Sequence, residues 1–372
     1  MKLRIEQRTL ADAAKHAFRR LPGNPVNPVL AGLLIDAPED GPVHLSGFDL
    51  ETATQATLDA DVLEAGKALV SGRLLADVAA ALPAGPVDLI VDDHEVTLAA
   101  PGTTFTLPTM EHRDYPALPT PPGAAGSVDG AAFAAAVVHA ASAAMPPKEA
   151  VGTMEGFSGV HVLADGDELV VSASDRYRIV RHRIPWTPDG DADGELLLPA
   201  DGIAVTAKQM AGAQVRIAFP SADGAVAALA TDRLTTASRT IGADFPNING
   251  FFPDPAKAVG WIGVGAAELL EAAKRAALVN DNGDQAVVFT VDSDVLTVSG
   301  GAHGNKGASR LEVMTEGVDG FTAGYRPGFL SSLLAPIDGP ARIWFTTPNK
   351  PVLIEPVDDA TYRAVCMPVR LK

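Results

Sequence analysis

The chain is built on an internal repeat, because one succession of helix and strand patterns recurs three times along its 372 residues. Each copy contains an Ala/Leu-rich segment whose apolar residues recur at spacings of three and four, which is typical of a helix with one buried face. These segments are TLADAAKHAFRRL (9–21), DGAAFAAAVVHAASAA (129–144) and GAAELLEAAKRAALV (265–279). Such a repeat favours an array of similar domains over one large core.

The rest of each copy predicts a mixed fold. Alternating apolar and polar stretches separated by turn residues follow each helix and indicate β-hairpins. A second helical pattern and further strands then close each copy, so we expect an α+β protein with three repeated domains. Pro/Gly-rich stretches at 118–127 and 251–260 are typical of linkers. They place the predicted domains at 1–122, 127–254 and 255–372.

Composition excludes several classes of protein. Hydrophobic residues make up 47% and charged residues 20% of the chain, which is typical of a globular protein. No apolar run approaches the roughly 20 residues that a membrane helix needs, and the N-terminus lacks the apolar core of a signal peptide. The single cysteine, Cys366, excludes an internal disulfide. We therefore expect a cytoplasmic protein without membrane contact.

The segment ASDRYRIVRHRI (173–184) stands out because four arginines occupy eight positions in a chain of net charge −17. It fits a nucleic-acid contact, a docking surface or a solvated strand face. An acidic chain binds duplex DNA only where its basic side chains gather on one surface.

Nucleotide-binding glycine motifs and paired metal ligands are absent from the sequence. Cys366 lies in an apolar strand pattern, which favours an inert thiol. We expect neither an enzyme nor a bound cofactor or metal.

Five short stretches identify a family when they are taken in order along the chain. They are NPVLAGLLI (27–35), GFDLE (47–51), SDRYRI (174–179), ADFPNI (243–248) and MPVRL (367–371). Together with the threefold repeat, they resemble the bacterial DNA polymerase III β subunit, the sliding clamp, over the whole chain. The resemblance implies a head-to-tail homodimer that closes as a ring around double-stranded DNA, with helices lining the hole and sheets outside. It implies a processivity factor without catalytic activity.

The resemblance also implies a pocket for partner peptides between the second and third domains. Its partners would be the polymerase III α subunit, the clamp loader, other proteins with the same motif, and pocket-directed peptide inhibitors. The implied pocket residues are Phe157, Ser174, Arg176, Tyr177, Arg178, Ile179, Pro246, Phe251, Val365, Met367, Pro368, Val369 and Arg370. Apolar side chains among them suit Leu and Phe anchors, and methionine adapts to several partners. Phe157 and Phe251 stand where members of the family often carry smaller aliphatic residues.

Two further surfaces follow from the resemblance. The DNA-facing candidates are Lys15, Arg19, Arg20, Asn24, Arg73, Lys148, Lys208, Lys274 and Arg275. The candidates for the contact between subunits are Phe105, Leu107, Leu278 and Val279. Each basic residue could instead be an ordinary solvated side chain, and the four apolar residues could belong to the cores of their own domains.

Two alternatives stay open from the sequence. Arg181 and Arg183 fit solvated strand positions rather than the pocket. The sparse basic charge in the middle helix, which has only His139, and the two phenylalanines also fit a specialised copy of the clamp. Such a copy would be inhibitor-insensitive or a repair scaffold with an altered pocket.

Overall fold

The computed structural model describes residues 1–92, 94–190, 193–221, 226–281 and 285–371. Its α-helices are α1 (Gln7–Phe18), α2 (Gly72–Ala81), α3 (Gly130–Ala141), α4 (Ala200–Met210), α5 (Ala266–Ala277) and α6 (Pro327–Leu334). Each lies on one of the six helical patterns of the sequence, within a few residues at either end. Among the described residues, no helix is long and apolar enough to cross a membrane.

The strands fall into three successive groups along the chain. The first group is β1 (Lys2–Glu6), β2 (Gly32–Ala37), β3 (Val43–Phe48), β4 (Thr52–Leu58), β5 (Ala60–Glu64), β6 (Gly66–Ser71), β7 (Pro86–Val91), β8 (Glu95–Ala100) and β9 (Thr103–Met110). The second group is β10 (Gly126–Asp129), β11 (Gly159–Asp165), β12 (Glu168–Ser174), β13 (Arg178–Pro188), β14 (Glu195–Pro199), β15 (Gln214–Ala218), β16 (Val226–Ala230) and β17 (Leu234–Arg239). The third group is β18 (Gly260–Gly265), β19 (Val287–Asp292), β20 (Val295–Gly300), β21 (Gly307–Glu312), β22 (Met314–Glu316), β23 (Thr322–Tyr325), β24 (Pro340–Phe345), β25 (Val352–Pro356) and β26 (Tyr362–Cys366).

Helices α1 and α5 share one packing pattern, which shows the repeat in three dimensions. In α1 the buried apolar residues are Leu10, Ala13, Ala14 and Ala17. In α5 they are Leu269, Ala272, Ala273 and Ala276, together with Ala266 at the first position of the helix. The common spacing of three, one and three places them in one stripe of the helix. Because most are alanines, each helix approaches its sheet closely.

A glycine accommodates that approach at the same place under each helix. A Cβ on Gly47 of β3 would overlap the carbonyl oxygen of Ala17, in the last turn of α1. A Cβ on Gly300 of β20 would overlap the carbonyl oxygen of Ala276, in the last turn of α5. The backbone of the helix therefore rests on the backbone of the strand, which any larger residue would prevent.

One compact unit comprises Met1–Ala131, Thr187–Leu196 and Val205–Thr240. Within it, β17 pairs antiparallel with β4, so that Leu234 lies opposite Ala56 and Ser238 lies opposite Thr52. A second set of antiparallel strands runs in the order β5, β1, β7, β8 and β9. Strand β9 forms the outer edge of that set along the part that pairs with β8.

The other compact unit comprises Ala132–Trp186, Leu197–Ala204 and Ile241–Lys372. Its main sheet runs in the order β11, β12, β13, β26, β25, β24, β18 and β22, and all of these pairs are antiparallel. A separate four-stranded sheet has the order β21, β20, β19 and β23. The pairing of β13 with β26 brings the SDRYRI stretch beside the C-terminal MPVRL stretch.

Candidate functional site

The turn that leads into β13 is ordered by two short buried side chains. The Ser174 hydroxyl accepts the backbone N–H of Arg176 at 3.1 Å and donates to the carbonyl of Arg178 at 2.9 Å. One oxygen of Asp175 accepts the backbone N–H groups of Tyr177 and Arg178 at 3.0 and 2.9 Å. These bonds hold Arg176 at φ 76°, a left-handed conformation that is uncommon for a residue with a side chain. The turn therefore presents Tyr177 to solvent, where it is 53% exposed.

Helix α6 supplies the next wall of the site. The guanidinium of Arg178 lies 4.6 Å from the ring centre of Phe329 and donates to the Ser332 hydroxyl. The rings of Tyr177 and Phe329 are stacked with 6.2 Å between their centres. Arg326 covers both rings, at 5.6 and 5.3 Å. Cation–π contacts of this kind stabilise the position of Arg178 beyond its hydrogen bonds.

An apolar cluster lies beside that turn. Ile179 is opposite Val365 in the pairing of β13 with β26, and both pack with Ile248 in one buried cluster. Phe245 and Phe252 are partly buried against it. The segment that contains ADFPNI thus crosses the strands that carry SDRYRI and the C-terminal residues. These three stretches, remote in sequence, form one apolar surface.

The C-terminal stretch runs along the same surface. The N–H of Met367 donates to the carbonyl of Tyr177 at 2.8 Å, and the N–H of Val369 donates to the carbonyl of Gly324 at 2.8 Å. Met367, Pro368 and Val369 are half-buried, whereas Arg370 is exposed. The tail is therefore fixed at two points by backbone bonds and keeps side-chain surface available.

The remaining predicted pocket residues lie in flanking segments. Phe157 is half-buried in a 3₁₀ helix, Gly152–Ser158, and Met154 in the same helix accepts a 3.4 Å bond from Arg176. Pro246 is half-buried, and Phe251 is 63% exposed. The structure brings these segments to the turn and the apolar cluster.

The prediction that Arg181 and Arg183 are both solvated is wrong for Arg181. Its guanidinium lies 4.3 Å from the ring centre of Phe252 and donates to Asn249 at 2.6 Å. Arg183 instead forms ion pairs with Asp165 and Glu168 at 3.0 and 2.7 Å. The two arginines differ because the segment after β17 folds back over Arg181.

Sequence reasoning missed Asp175, Phe329, Ser332 and Arg326. Asp175 had a local signal, since an aspartate three residues before the arginine that it binds fits an Asx turn. The residues of α6 had no such signal, because Phe329 lies about 150 positions from Arg178 in sequence.

Comparison with known proteins accounts for this arrangement. Residues 1–119 match the N-terminal domain of the DNA polymerase III beta subunit, residues 132–247 match its central domain, and residues 252–370 match its C-terminal domain. The chain belongs to the DNA polymerase III beta subunit family. It is thus a three-domain clamp of a family of non-catalytic processivity factors.

Three relatives illustrate the similarity. The Beta sliding clamp of Streptomyces coelicolor is 36% identical over 384 aligned positions, which cover 100% of both chains. The Beta sliding clamp homolog GriR of Streptomyces muensis is 31% identical, covering 100% of this chain and 99% of the relative. The structure of the Pseudomonas aeruginosa sliding clamp bound to griselimycin superposes with a TM-score of 0.90 at 19% identity, covering 100% of both chains. The last match shows the fold.

The residues predicted to face DNA in this clamp are mostly exposed. Lys15, Arg19, Asn24, Arg73, Lys148, Lys208, Lys274 and Arg275 are exposed, and Arg20 is half-buried. Lys274 pairs with Glu271 at 2.8 Å, and Arg73 lies 3.8 Å from Asp77. Contacts of this kind between exposed groups contribute little stability, so these side chains are free to exchange partners.

The residues predicted to join two clamp subunits are placed unequally. Phe105 on β9 is 38% exposed, and Leu278 at the end of α5 is 83% exposed. Val279 is half-buried. Leu107 is only 6% exposed and belongs to the core of its own domain. Phe105 and Leu107 lie on the same face of β9, opposite Leu98 and Val96 of β8, so strand alternation does not separate them, and it is Leu107 that belongs to the buried core cluster.

The single thiol of the clamp lies in an unreactive position. Cys366 is fully buried in β26, and this burial raises the pKa of its thiol to about 12. A thiol is reactive as the thiolate, and this one stays protonated at neutral pH. The finding agrees with the absence of catalysis in the family.

Proposed function

We propose that this protein closes as a homodimeric ring around double-stranded DNA, slides without reading sequence, and tethers replication and repair proteins. The observation that carries the proposal is the convergence of SDRYRI, ADFPNI and MPVRL on one surface. That surface combines the half-buried side chains of Met367, Pro368 and Val369 with ordered arginines beside a buried apolar cluster, and apolar peptide anchors need such a preformed site. Polymerase III α subunit and the clamp loader are the expected partners.

The chemistry of the site suits a short peptide with Gln, Leu and Phe anchors. Ile179, Ile248 and Val365 provide the apolar floor, and Met367 at its margin adapts to differing side chains. Arg178 is held in place by Asp175 and Ser332, so its remaining donors are preorganised for a peptide carbonyl. We propose that a pocket-directed peptide inhibitor would compete for this surface.

Closure of the ring would use exposed strand edges. In the described residues, β21 pairs only with β20, and β9 pairs with β8 over Thr103–Pro108 on one side only. An unpaired edge invites pairing with another chain. We propose that β9 and Phe105 of one subunit meet β21 and Leu278 of the next. We propose that the ring works without a cofactor and acts on the chromosome in the cytoplasm.

The test is a fluorescence-polarisation titration with a labelled peptide of the Gln-x-x-Leu-Phe type. Wild type is compared with a variant that lacks residues 367–372 and with Met367→Ala. Met314→Ala is the matched control, since Met314 is 59% exposed in the same compact unit outside the apolar cluster. We expect saturable binding to wild type and the control, weaker binding to Met367→Ala, and none to the truncated protein.

A folded, dimeric protein that binds no such peptide would overturn this part of the proposal. It would leave the specialised clamp with an altered pocket as the better account, with Phe157 and Phe251 as the altered positions. A monomer at micromolar concentration would overturn the ring.

A further inference from the structure

The apolar cluster is one end of a longer sheet face. Successive residues of a strand point to opposite faces, so the register of the paired strands decides which side chains share a side. Ile179 lies opposite Val365, and Arg181 lies opposite Arg363. The same side continues across β25, β24 and β18. It carries Leu353, Glu355, Arg342, Trp344 and Trp261. We call the residues Arg181, Arg363, Glu355, Arg342, Trp344 and Trp261 the cationic row.

One arginine of the cationic row is neutralised within it. Arg363 lies 3.0 Å from Glu355, whose other oxygen accepts the indole N–H of Trp344 at 2.8 Å. Each oxygen of the Glu355 carboxylate therefore accepts one donor within the row. It forms no ion pair with Arg342, although the two residues lie opposite each other in the register.

The other two arginines have no carboxylate partner among the described residues. Arg342 lies between two indole rings, 4.8 Å from the centre of Trp261 and 5.6 Å from that of Trp344. Arg181 contacts Phe252 and Asn249. The Nε atoms of both arginines are buried without a hydrogen-bond partner in that part of the chain. The chain has 46 acidic and 29 basic residues, so carboxylates outnumber cations. Two arginines on one face that nevertheless lack a carboxylate partner in the described residues mark that face as a site for an external anion.

The positive charges beside Arg181 also change its pKa. Burial lowers its pKa, and the positive charges of Arg183 and Arg363 lower it further. A negative group placed on the row would relieve this repulsion and would supply acceptors for the unused N–H groups.

We propose that Arg181 and Arg342 bind an acidic segment of a partner protein, continuous with the apolar anchors that occupy the Ile179–Val365 cluster. This inference rests on the proposed function, because it needs the same peptide in the same site. The two arginines are separated by three strand spacings, which is about 14 Å. An extended peptide spans that distance in about four or five residues, so two carboxylates at that separation fit the row.

The arrangement favours carboxylates over nucleic acid. Single strands bind by stacking bases on open aromatic rings. Here Arg342 covers both indoles, and the indole N–H groups donate to Glu316 and Glu355 at 2.9 and 2.8 Å. The tryptophans thus hold Arg342 in place, and a ligand would contact the charged guanidinium rather than the indole rings.

The experiment compares labelled peptides that share the Gln-x-x-Leu-Phe core. One set carries a six-residue Glu-rich extension at either end, and the other carries Gln in the same positions. They are titrated at low salt against wild type, Arg342→Gln, Arg181→Gln and the control Arg113→Gln, which removes an exposed arginine from the short 3₁₀ segment His112–Asp114 in the other compact unit. Equal thermal unfolding midpoints verify that the variants are folded.

We expect the Glu extension at one end to bind wild type about two- to tenfold more tightly than its Gln counterpart. The gain shrinks in Arg342→Gln and Arg181→Gln, persists in Arg113→Gln, and fades as salt is raised. The affinity of the core peptide for Arg342→Gln stays at the wild-type value, because Arg342 lies outside the apolar cluster.

Equal affinities for Glu and Gln extensions at both ends would refute the inference while leaving the proposed function intact. So would a gain that survives in both arginine variants. A labelled oligothymidylate that binds wild type but not Arg342→Gln, with no gain from Glu, would assign the row to single-stranded nucleic acid instead. Loss of binding by the core peptide itself would refute the proposed function, and the inference with it.

Discussion

The carboxylate of Asp175 binds both the backbone and the side chain of Arg178. One oxygen accepts the N–H of Arg178 at 2.9 Å, and the other lies 2.9 Å from its Nε atom. Both side chains are largely buried, with 11% and 13% of their surfaces exposed. A charged pair in such a position is costly to break, because the group left behind stays buried without its counter-charge. The pair therefore fixes the turn and also directs the side chain of Arg178 towards α6.

Asp175→Ala is expected to lower the free energy of unfolding by about 3 kcal/mol and to weaken binding of the core peptide. The loss follows from an unpaired Arg178 and from two unsatisfied backbone N–H groups. Urea unfolding and peptide titration measure the two effects. The control is Asp165→Ala, which breaks a more exposed pair with Arg183 and should cost under about 1 kcal/mol. Equal losses in the two variants would contradict this account of the turn.

The sequence predicted the parts of this site that depend on local pattern. The spacing of three and four in α1 and α5 marks a buried stripe, and the alternation around Ile179 marks a strand. The contacts of Arg178 with Phe329 and of Arg181 with Phe252 could not be predicted in this way. They depend on how α6 and the segment after β17 pack on the sheet, which no local spacing encodes. Leu107 shows the same limit, since its place in the core depends on the register of β9 with β8.

The exposed basic side chains of α1 provide a test of the DNA-binding surface. Lys15 and Arg19 lie one turn apart and have no ion-pair partner among the described residues. If both contact phosphate, Lys15→Ala combined with Arg19→Ala should weaken binding to duplex DNA equally for unrelated sequences. The slope of log affinity against log salt should fall by about 2, because each contact releases about one counterion.

The matched control for the DNA measurement is Lys350→Ala, which removes an exposed lysine from a turn of the other compact unit. Its salt slope should equal that of wild type. An unchanged slope in the double variant of α1 would assign Lys15 and Arg19 to ordinary solvated positions.

The contact between subunits can be tested at Phe105. Phe105→Asp places a charge on an edge strand at a side chain that is 38% exposed, and we expect it to convert the dimer into a folded monomer, with circular dichroism verifying the fold. Analytical ultracentrifugation at micromolar concentration gives the answer. Leu63→Asp is the control, since Leu63 is 58% exposed on β5, at the opposite edge of the same strands. A dimeric Phe105→Asp protein would place the seam elsewhere.

A histidine cluster lies on the opposite face of the β13–β26 pair from Arg181. His182 is 9% exposed, and its ring centre lies 5.3 Å from that of His139 and 4.7 Å from that of Tyr362. Burial, with a smaller contribution from the neighbouring His139, lowers the pKa of His182 to about 4, and Asp359 acts in the opposite direction. Burial also lowers the pKa of His139. Both imidazoles are therefore neutral in the folded protein at pH 7.

The free energy of unfolding is expected to decrease in acid because of these histidines. An unfolded histidine takes up its proton near pH 6.5, whereas folded His182 does so near pH 4, so the neutral form stabilises the fold above pH 6.5. That contribution, about 3 kcal/mol, is lost as the pH falls through this window. His182→Phe keeps a ring against Tyr362 and cannot be protonated, so its free energy of unfolding should fall less between pH 7 and pH 4.5. His94→Phe, at an exposed site, is the control, and urea unfolding at the two pH values measures all three proteins. Equal pH dependence in wild type and His182→Phe would show that His182 does not carry the effect.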